Sequence, residues 1–179
     1  MKTIKKSTNQ IFAILIIAIF SNISAIAQDK VTLTDPEVAS VAVVANQIDI
    51  SYAEIALKKS KNKEILAFAN RMVTDHSAVI KQAVALVTKL SVTPKDNAVS
   101  QSLNEGAEKT KKMLNNASAK DFDKLYIDNE VAYHKAVIGA IEGLLIPESD
   151  NKELKGLLED VLPALQAHLK HAEMVQSKL

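Results

Sequence analysis

The sequence predicts an all-α protein, an up-and-down bundle of four to five helices in the ferritin-like manner. Three observations lead there. The 179 residues hold only four Gly and four Pro, too few for a sandwich or barrel, which reverses direction about every ten residues. The strong apolar periodicities all lie near 3.5 residues and none near 2. The breaks between periodic stretches are short, as in antiparallel helical neighbours. The length suits one domain with its own core, taken here as residues 35–179 after a short linker at 28–34.

Residues 1–27 read as a signal peptide. Lys2, Lys5 and Lys6 precede an unbroken apolar run from Ile11 to Phe20, and Ala25-Ile26-Ala27 supplies the small-x-small pattern before cleavage. The run has ten residues, against about 20 for a bilayer span, so an uncleaved anchor is the weaker alternative. No Cys follows the cleavage site to carry a lipid. The expected mature chain begins at Gln28 and is exported, to the periplasm or the outer membrane. It loses three lysines and no acid from the leader, leaving 19 basic and 21 acidic side chains and a balance of −2.

The first helix starts at Asp35-Pro36-Glu37, where Asp35 can cap, Pro36 needs no donor and Glu37 suits the dipole. It runs to about Ser60 on a face of Val41, Val44, Ala45, Ile48, Tyr52 and Ile55. The second carries the clearest pattern: Ile65, Phe68, Met72, His76, Val79, Ala83, Leu86 and Leu90 are spaced 3, 4, 4, 3, 4, 3 and 4, a bundle seam. Residues 91–97, with Pro94, form a loop. A more polar helix follows through Val99, Leu103, Ala107 and Met113 to Asn115-Asn116. Ser118 and Asp121 resemble a capping box ahead of a face of Phe122, Tyr126, Asn129, Tyr133, Ala136, Ala140 and Leu144. Pro147 to Asn151 breaks the chain before a final stripe of Leu154, Leu157 or Leu158, Val161, Leu165, His168, Ala172 and Val175. Pro163 lies inside that helix, where it bends the axis either to fit its neighbours or to open a pocket. The expected core includes Phe68, Met72, Val79, Tyr126, Tyr133, Leu158, Val161 and Leu165, with the tyrosine hydroxyls at the bundle rim.

Charge and composition remove several functions. A net charge of +1 offers no basic surplus for nucleic acid. The absence of Cys excludes disulfides, thiolate metal sites and thiol catalysis. No nucleophile elbow, phosphate loop or His-Glu-x-x-His motif occurs, so no reaction is assigned. Lys58, Lys59, Lys61 and Lys63 are read as solubilising charge, with an anionic envelope surface as the alternative contact. A protein partner and self-association stay open.

Ile65 to His76, I-L-A-F-A-N-R-M-V-T-D-H, together with F-D-K-L-Y at Phe122 to Tyr126, His134, and L-P-A-L-Q-A-H at Leu162 to His168, resembles the exported bacterial family labelled domain of unknown function 4142. The resemblance spans about residues 35–178. It implies a ferritin-like bundle in a periplasmic or outer-membrane protein with no settled activity. It also implies an acid on the first helix, a place that Asp49 matches better than Glu54. The chain departs from di-iron ferritin-like enzymes in lacking any Glu-x-x-His pair.

The histidines carry what chemistry there is. His76 and His168 interrupt apolar stripes on two helices, and His134 lies on the shoulder of a third. A buried imidazole needs partners for both nitrogens, so these three are expected to converge, with Glu130 and Asp49 or Glu54 as acids within reach. Asp75 points about 100° away from His76 and is expected to bond Arg71 or a neighbouring helix. Glu130 and His134 can also form a simple helix pair. Asp75, His171 and Tyr126 complete the candidate polar network, His171 nearer the solvent edge. Imidazole with carboxylate and no thiolate suits a divalent transition metal such as zinc, iron, manganese or copper(II). For such a metal, affinity is expected to fall as pH drops through about 6.5. Two functions follow. One is a structural or interaction protein of the envelope whose His/acid network fixes helix register. The other is a periplasmic module that binds a transition metal or small ligand through His76, His134, His168 and nearby carboxylates. An enzyme would rest on fold analogy alone.

Overall fold

The architecture is that of a computed structural model, which describes residues 31–179; the leader and its cleavage site lie outside the described residues. Four to five helices were expected, and five long ones form among the described residues, with a π turn and one short helix besides: α1 (Asp35–Lys59), α2 (Lys63–Lys89), α3 (Ala98–Asn116), α4 (Phe122–Ala140), a π-helical turn (Ile141–Leu145), a short α5 (Ile146–Glu148) and α6 (Lys152–Gln176). There is no strand among the described residues. No described helix is long and apolar enough to cross a membrane.

Local chemistry sets the ends. Thr34, not Asp35, caps α1: its extended backbone precedes the helix, and the Glu37 carboxylate accepts from its N–H at 3.0 Å and its hydroxyl at 2.8 Å. Asp35 is already helical, so its carboxylate is free to accept the N–H groups of Asp150 and Asn151 at 3.0 and 3.1 Å. That ties the turn before α6 to the start of α1. Asn62, Asn97 and Asn151 cap α2, α3 and α6 by accepting first-turn N–H groups. The Ser118–Asp121 pair forms reciprocally, at 2.6 and 3.3 Å, in the turn ahead of α4. Lys59 Nζ donates to the carbonyls of Leu114, Asn115 and Ala117, placing a cation on the negative end of α3.

Helix α1 packs on α2 and α3, α4 packs on α6, and α2 meets α6. Along this bundle the interior changes character. Towards one end Ile65, Phe68, Met72, Phe122, Tyr126 and Val175 are fully enclosed, with Phe122 stacked on Tyr126 and Phe68 edge-on to it. Towards the other, the same helices surround a cavity of about 300 Å³. Val79 and Val161, expected in the core, are only half-buried because they wall this cavity. Ala164 and Leu165, beside Pro163, also line it, as do Ile141 and Leu144 of the π turn. The tyrosines do not reach the rim. Tyr126 and Tyr133 are buried, and Tyr133 donates its hydroxyl to the Ala45 carbonyl at 2.9 Å.

Candidate metal centre

Between the filled and hollow stretches, α1, α2, α4 and α6 all turn ionisable side chains inward. Asp49 follows Ala45 by four residues and precedes Tyr52 by three, on the buried face of α1. His76 takes the seam position between Met72 and Val79, and His168 that between Leu165 and Ala172. His134 sits one turn after Glu130. Asp49, His76, His134 and His168 are each at most 4% exposed, so every polar atom here depends on the others. The ring centroids lie 5.8 Å apart for His76–His134, 5.3 Å for His76–His168 and 5.6 Å for His134–His168. One nitrogen from each ring lies within 4.8 Å of the other two.

Each ring is oriented by its second nitrogen. His76 Nδ1 meets Asn46 Oδ1 at 2.7 Å. The Asn46 amide nitrogen donates to the Ala42 carbonyl at 2.8 Å, which turns its oxygen to the ring and makes the ring nitrogen the donor. His134 Nδ1 donates to the Glu130 carbonyl at 2.9 Å, and His168 Nε2 donates to Asp75 Oδ2 at 2.8 Å. The protons are thereby spent outward. The nitrogens left over, His76 Nε2, His134 Nε2 and His168 Nδ1, have no hydrogen-bond partner, and neither do the two Asp49 oxygens. Asp49 Oδ2 stands 3.4 Å from His76 Nε2 and 3.6 Å from His134 Nε2.

The chain matches the family model "Domain of unknown function (DUF4142)" over residues 21–175. It belongs to the DUF4142 family. Among solved structures it is similar to "CopM in the Cu(II)-bound form", with a TM-score of 0.61 and 19% identity over 82% of this chain and 98% of that chain. At that identity the likeness is one of fold. No curated protein sequence matches it.

Burial decides the charge states in this DUF4142 chain. Loss of hydration pushes Asp49 up to about 8. It holds His76 down at about 3, helped by the other two rings, and His134 at about 4. His168 is lowered too, chiefly by burial and against the pull of Asp75. Burial thus favours the neutral form of all three imidazoles and of the Asp49 carboxyl.

The remaining candidates are placed unequally. Glu130 is fully buried; its Oε1 accepts from Asn129 at 3.3 Å, while Oε2 has no hydrogen bond and lies 3.8 Å from His134 Nδ1. Burial, and then the charge of Asp49, raises its carboxyl well above the usual range. With Asp49 and His134 it forms a second close group. Glu54 is exposed: five positions beyond Asp49 it has turned about 140° round the helix, and it takes no part. His171 is half-buried against the Phe68 ring, its Nδ1 unpartnered, and lies outside the cluster. The Tyr126 hydroxyl is buried without a hydrogen bond. Asp75 joins His168 to Arg71, whose Nε is 3.2 Å away. Asn46 was missed; its signal was a polar residue one turn before Asp49 on the same helix.

Proposed function

We propose that this protein binds a single divalent transition metal ion at the centre of the bundle, with His76, His134, His168 and Asp49 as ligands. One observation carries the reading: three imidazoles give their N–H protons to outward acceptors and turn bare nitrogens onto an unpartnered carboxylate. Outward anchoring of this kind fixes tautomer and ring orientation around a metal. Two ligands on one tetrahedral ion, at bonds of about 2.0–2.1 Å, are separated by about 3.3 Å. The Asp49 contacts of 3.4 and 3.6 Å are close to that. All four groups are neutral-imidazole or carboxylate donors, a set that suits zinc or copper(II). The fold's likeness to a protein with a Cu(II)-bound form supports trying copper first.

The competing reading, a structural network without metal, must satisfy the same atoms with one proton on Asp49. An oxygen donor bonds at about 2.5–3.0 Å, shorter than either Asp49 contact, and His168 Nδ1 would still lack a donor. A metal would draw on the three imidazoles as one close group, with Asp49 beside two of them.

The test is thermal unfolding of metal-free protein with and without Cu(II) or Zn(II). At metal about 100-fold above Kd the folded state gains about 2.7 kcal/mol, a rise of roughly 5–10 °C for a domain of this size. His168→Gln is expected to remove most of that rise. A wild-type melt unmoved by either ion, with His168→Gln still destabilising, overturns the metal reading in favour of the structural network.

A further inference from the structure

The cavity beside the histidines has a floor and walls of opposite chemistry. Its walls are aliphatic, from Val79, Leu86, Val137, Leu144 and Val161 among others; His76, His134, His168 and Asp49 face it at one end, and Gln82 and Asp160 are polar at its mouth. Of the lining residues, Ala78 and Gln82 on α2 and Asp160 and Ala164 on α6 are exposed, so the chamber opens between those two helices. Apolar space of this kind does not hold water well, and an apolar cavity of about 150 Å³ takes one benzene ring. By proportion, about 300 Å³ suits an apolar body of on the order of twelve non-hydrogen atoms. Binding pockets of this size are typically apolar with a few polar groups that fix orientation.

The floor selects the polar end. Its free atoms include three bare ring nitrogens, His76 Nε2, His134 Nε2 and His168 Nδ1, which accept hydrogen bonds. A ligand that ends in a hydroxyl can donate to them, and the same oxygen can instead approach a metal held there. We infer that the chamber binds a small apolar molecule with one terminal hydroxyl, an alkylphenol or alkyl alcohol, its hydrocarbon between α2 and α6 and its hydroxyl on the histidine layer. The inference stands on the shape of the chamber and the acceptor chemistry of its floor, so it holds for metal-free protein as well.

The experiment is calorimetric titration of metal-free and metal-loaded protein with 4-butylphenol and, in parallel, butylbenzene. The phenol is expected to bind at one site per chain, at least tenfold tighter than the hydrocarbon, and to raise the melting temperature. Ala83→Leu fills the chamber from α2 without touching the histidine layer. It is expected to weaken the phenol at least tenfold while leaving the Cu(II)-induced rise in melting temperature unchanged. Val161→Phe fills it from α6 and is expected to do the same, which covers failure of either variant to fold. No saturable binding of 4-butylphenol, binding undiminished in both filled variants, or butylbenzene binding equally well overturns the inference. The metal reading is judged separately, by the response to Cu(II) in the absence of phenol.

Discussion

The stretch of bundle around Phe68 and the stretch around Leu86 are built from the same four helices, and they differ in what those helices turn inward. Around Phe68 the inward residues are large: Ile65, Met72, Phe122 and Tyr126 leave no space. Around Leu86 alanines recur at facing positions, with Ala39, Ala42 and Ala45 on α1, Ala83 on α2, Ala140 on α4 and Ala164 on α6 all lining the cavity. Small residues on facing helices leave space between them here, and the cavity occupies it. Side chains that border a void lose dispersion contacts on that side. The filled stretch therefore supplies cohesion, and the hollow one spends some of it to keep an interior surface available. The histidine layer is the boundary between them.

The largest expected contrast comes from a buried charge. Met72→Asp is expected to cost about 3 kcal/mol or more, because the carboxylate has neither water nor partner in the filled stretch. Val79→Asp, on the half-buried wall of the chamber, is expected to cost less than half as much. Equal losses in chemical denaturation would show that the two stretches are equally solid.

A volume change is expected to act with opposite sign on the two sides. Ala69 is fully enclosed in the core, and Ala69→Leu is expected to destabilise by about 1–3 kcal/mol through overpacking. Ala83→Leu adds the same atoms next to empty space and is expected to stabilise by about 0.5–1 kcal/mol, as cavity-filling changes do. Denaturant midpoints of the two variants decide it, and two losses of similar size would remove the contrast.

The boundary itself is sensed by pH. Between about pH 6.5 and 8 the folded metal-free protein keeps the Asp49 proton while the unfolded chain has lost it. The unfolded state then binds fewer protons, so stability falls as pH rises through this window, by about 1 kcal/mol per pH unit. The lowered histidines act at lower pH and in the other direction: below about 6.5 the unfolded chain takes up protons that His76 refuses until about 3, so their contribution is lost as pH falls. A bound cation needs Asp49 ionised, and the fall above pH 6.5 is expected to lessen in the metal-loaded protein, the buried Glu130 carboxyl keeping its own share. Melting temperatures at pH 6.5, 7.5 and 8.5, with and without metal, test both parts; parallel curves would separate Asp49 from the metal.

Much of this architecture is legible in the amino-acid sequence because helices announce themselves by period and ends. The α2 seam from Ile65 to Leu90 is such a case, and it points His76 inward between Met72 and Val79. The same period could have separated Asp49 from Glu54, since only Asp49 keeps phase with Ala45 and Tyr52. What the period cannot carry is distance. A seam position says which way Val79 and Val161 point but not how far away the facing helix lies, and both prove to border empty space. Thr34 and Asp35 are both competent caps, and the Asp35 carboxylate instead accepts from the turn at Asp150, a contact more than a hundred residues away in sequence that no local pattern shows. Ring tautomers are also beyond reach, because they rest on Asn46, the Glu130 carbonyl and Asp75, contacts made only once the helices are assembled.

Of those three anchors, Asp75 is the charged one, its side chain 38% exposed and shared with Arg71 at the surface. Asn46 and the Glu130 carbonyl are uncharged and indifferent to dissolved salt. The Arg71–Asp75 pair is not, since ions at physiological strength screen exposed charges over about 8 Å. His168 is thus the one ring whose footing is tuned by the medium. Through it, the ionic composition of the surroundings has a lever on an interior that is otherwise insulated from them.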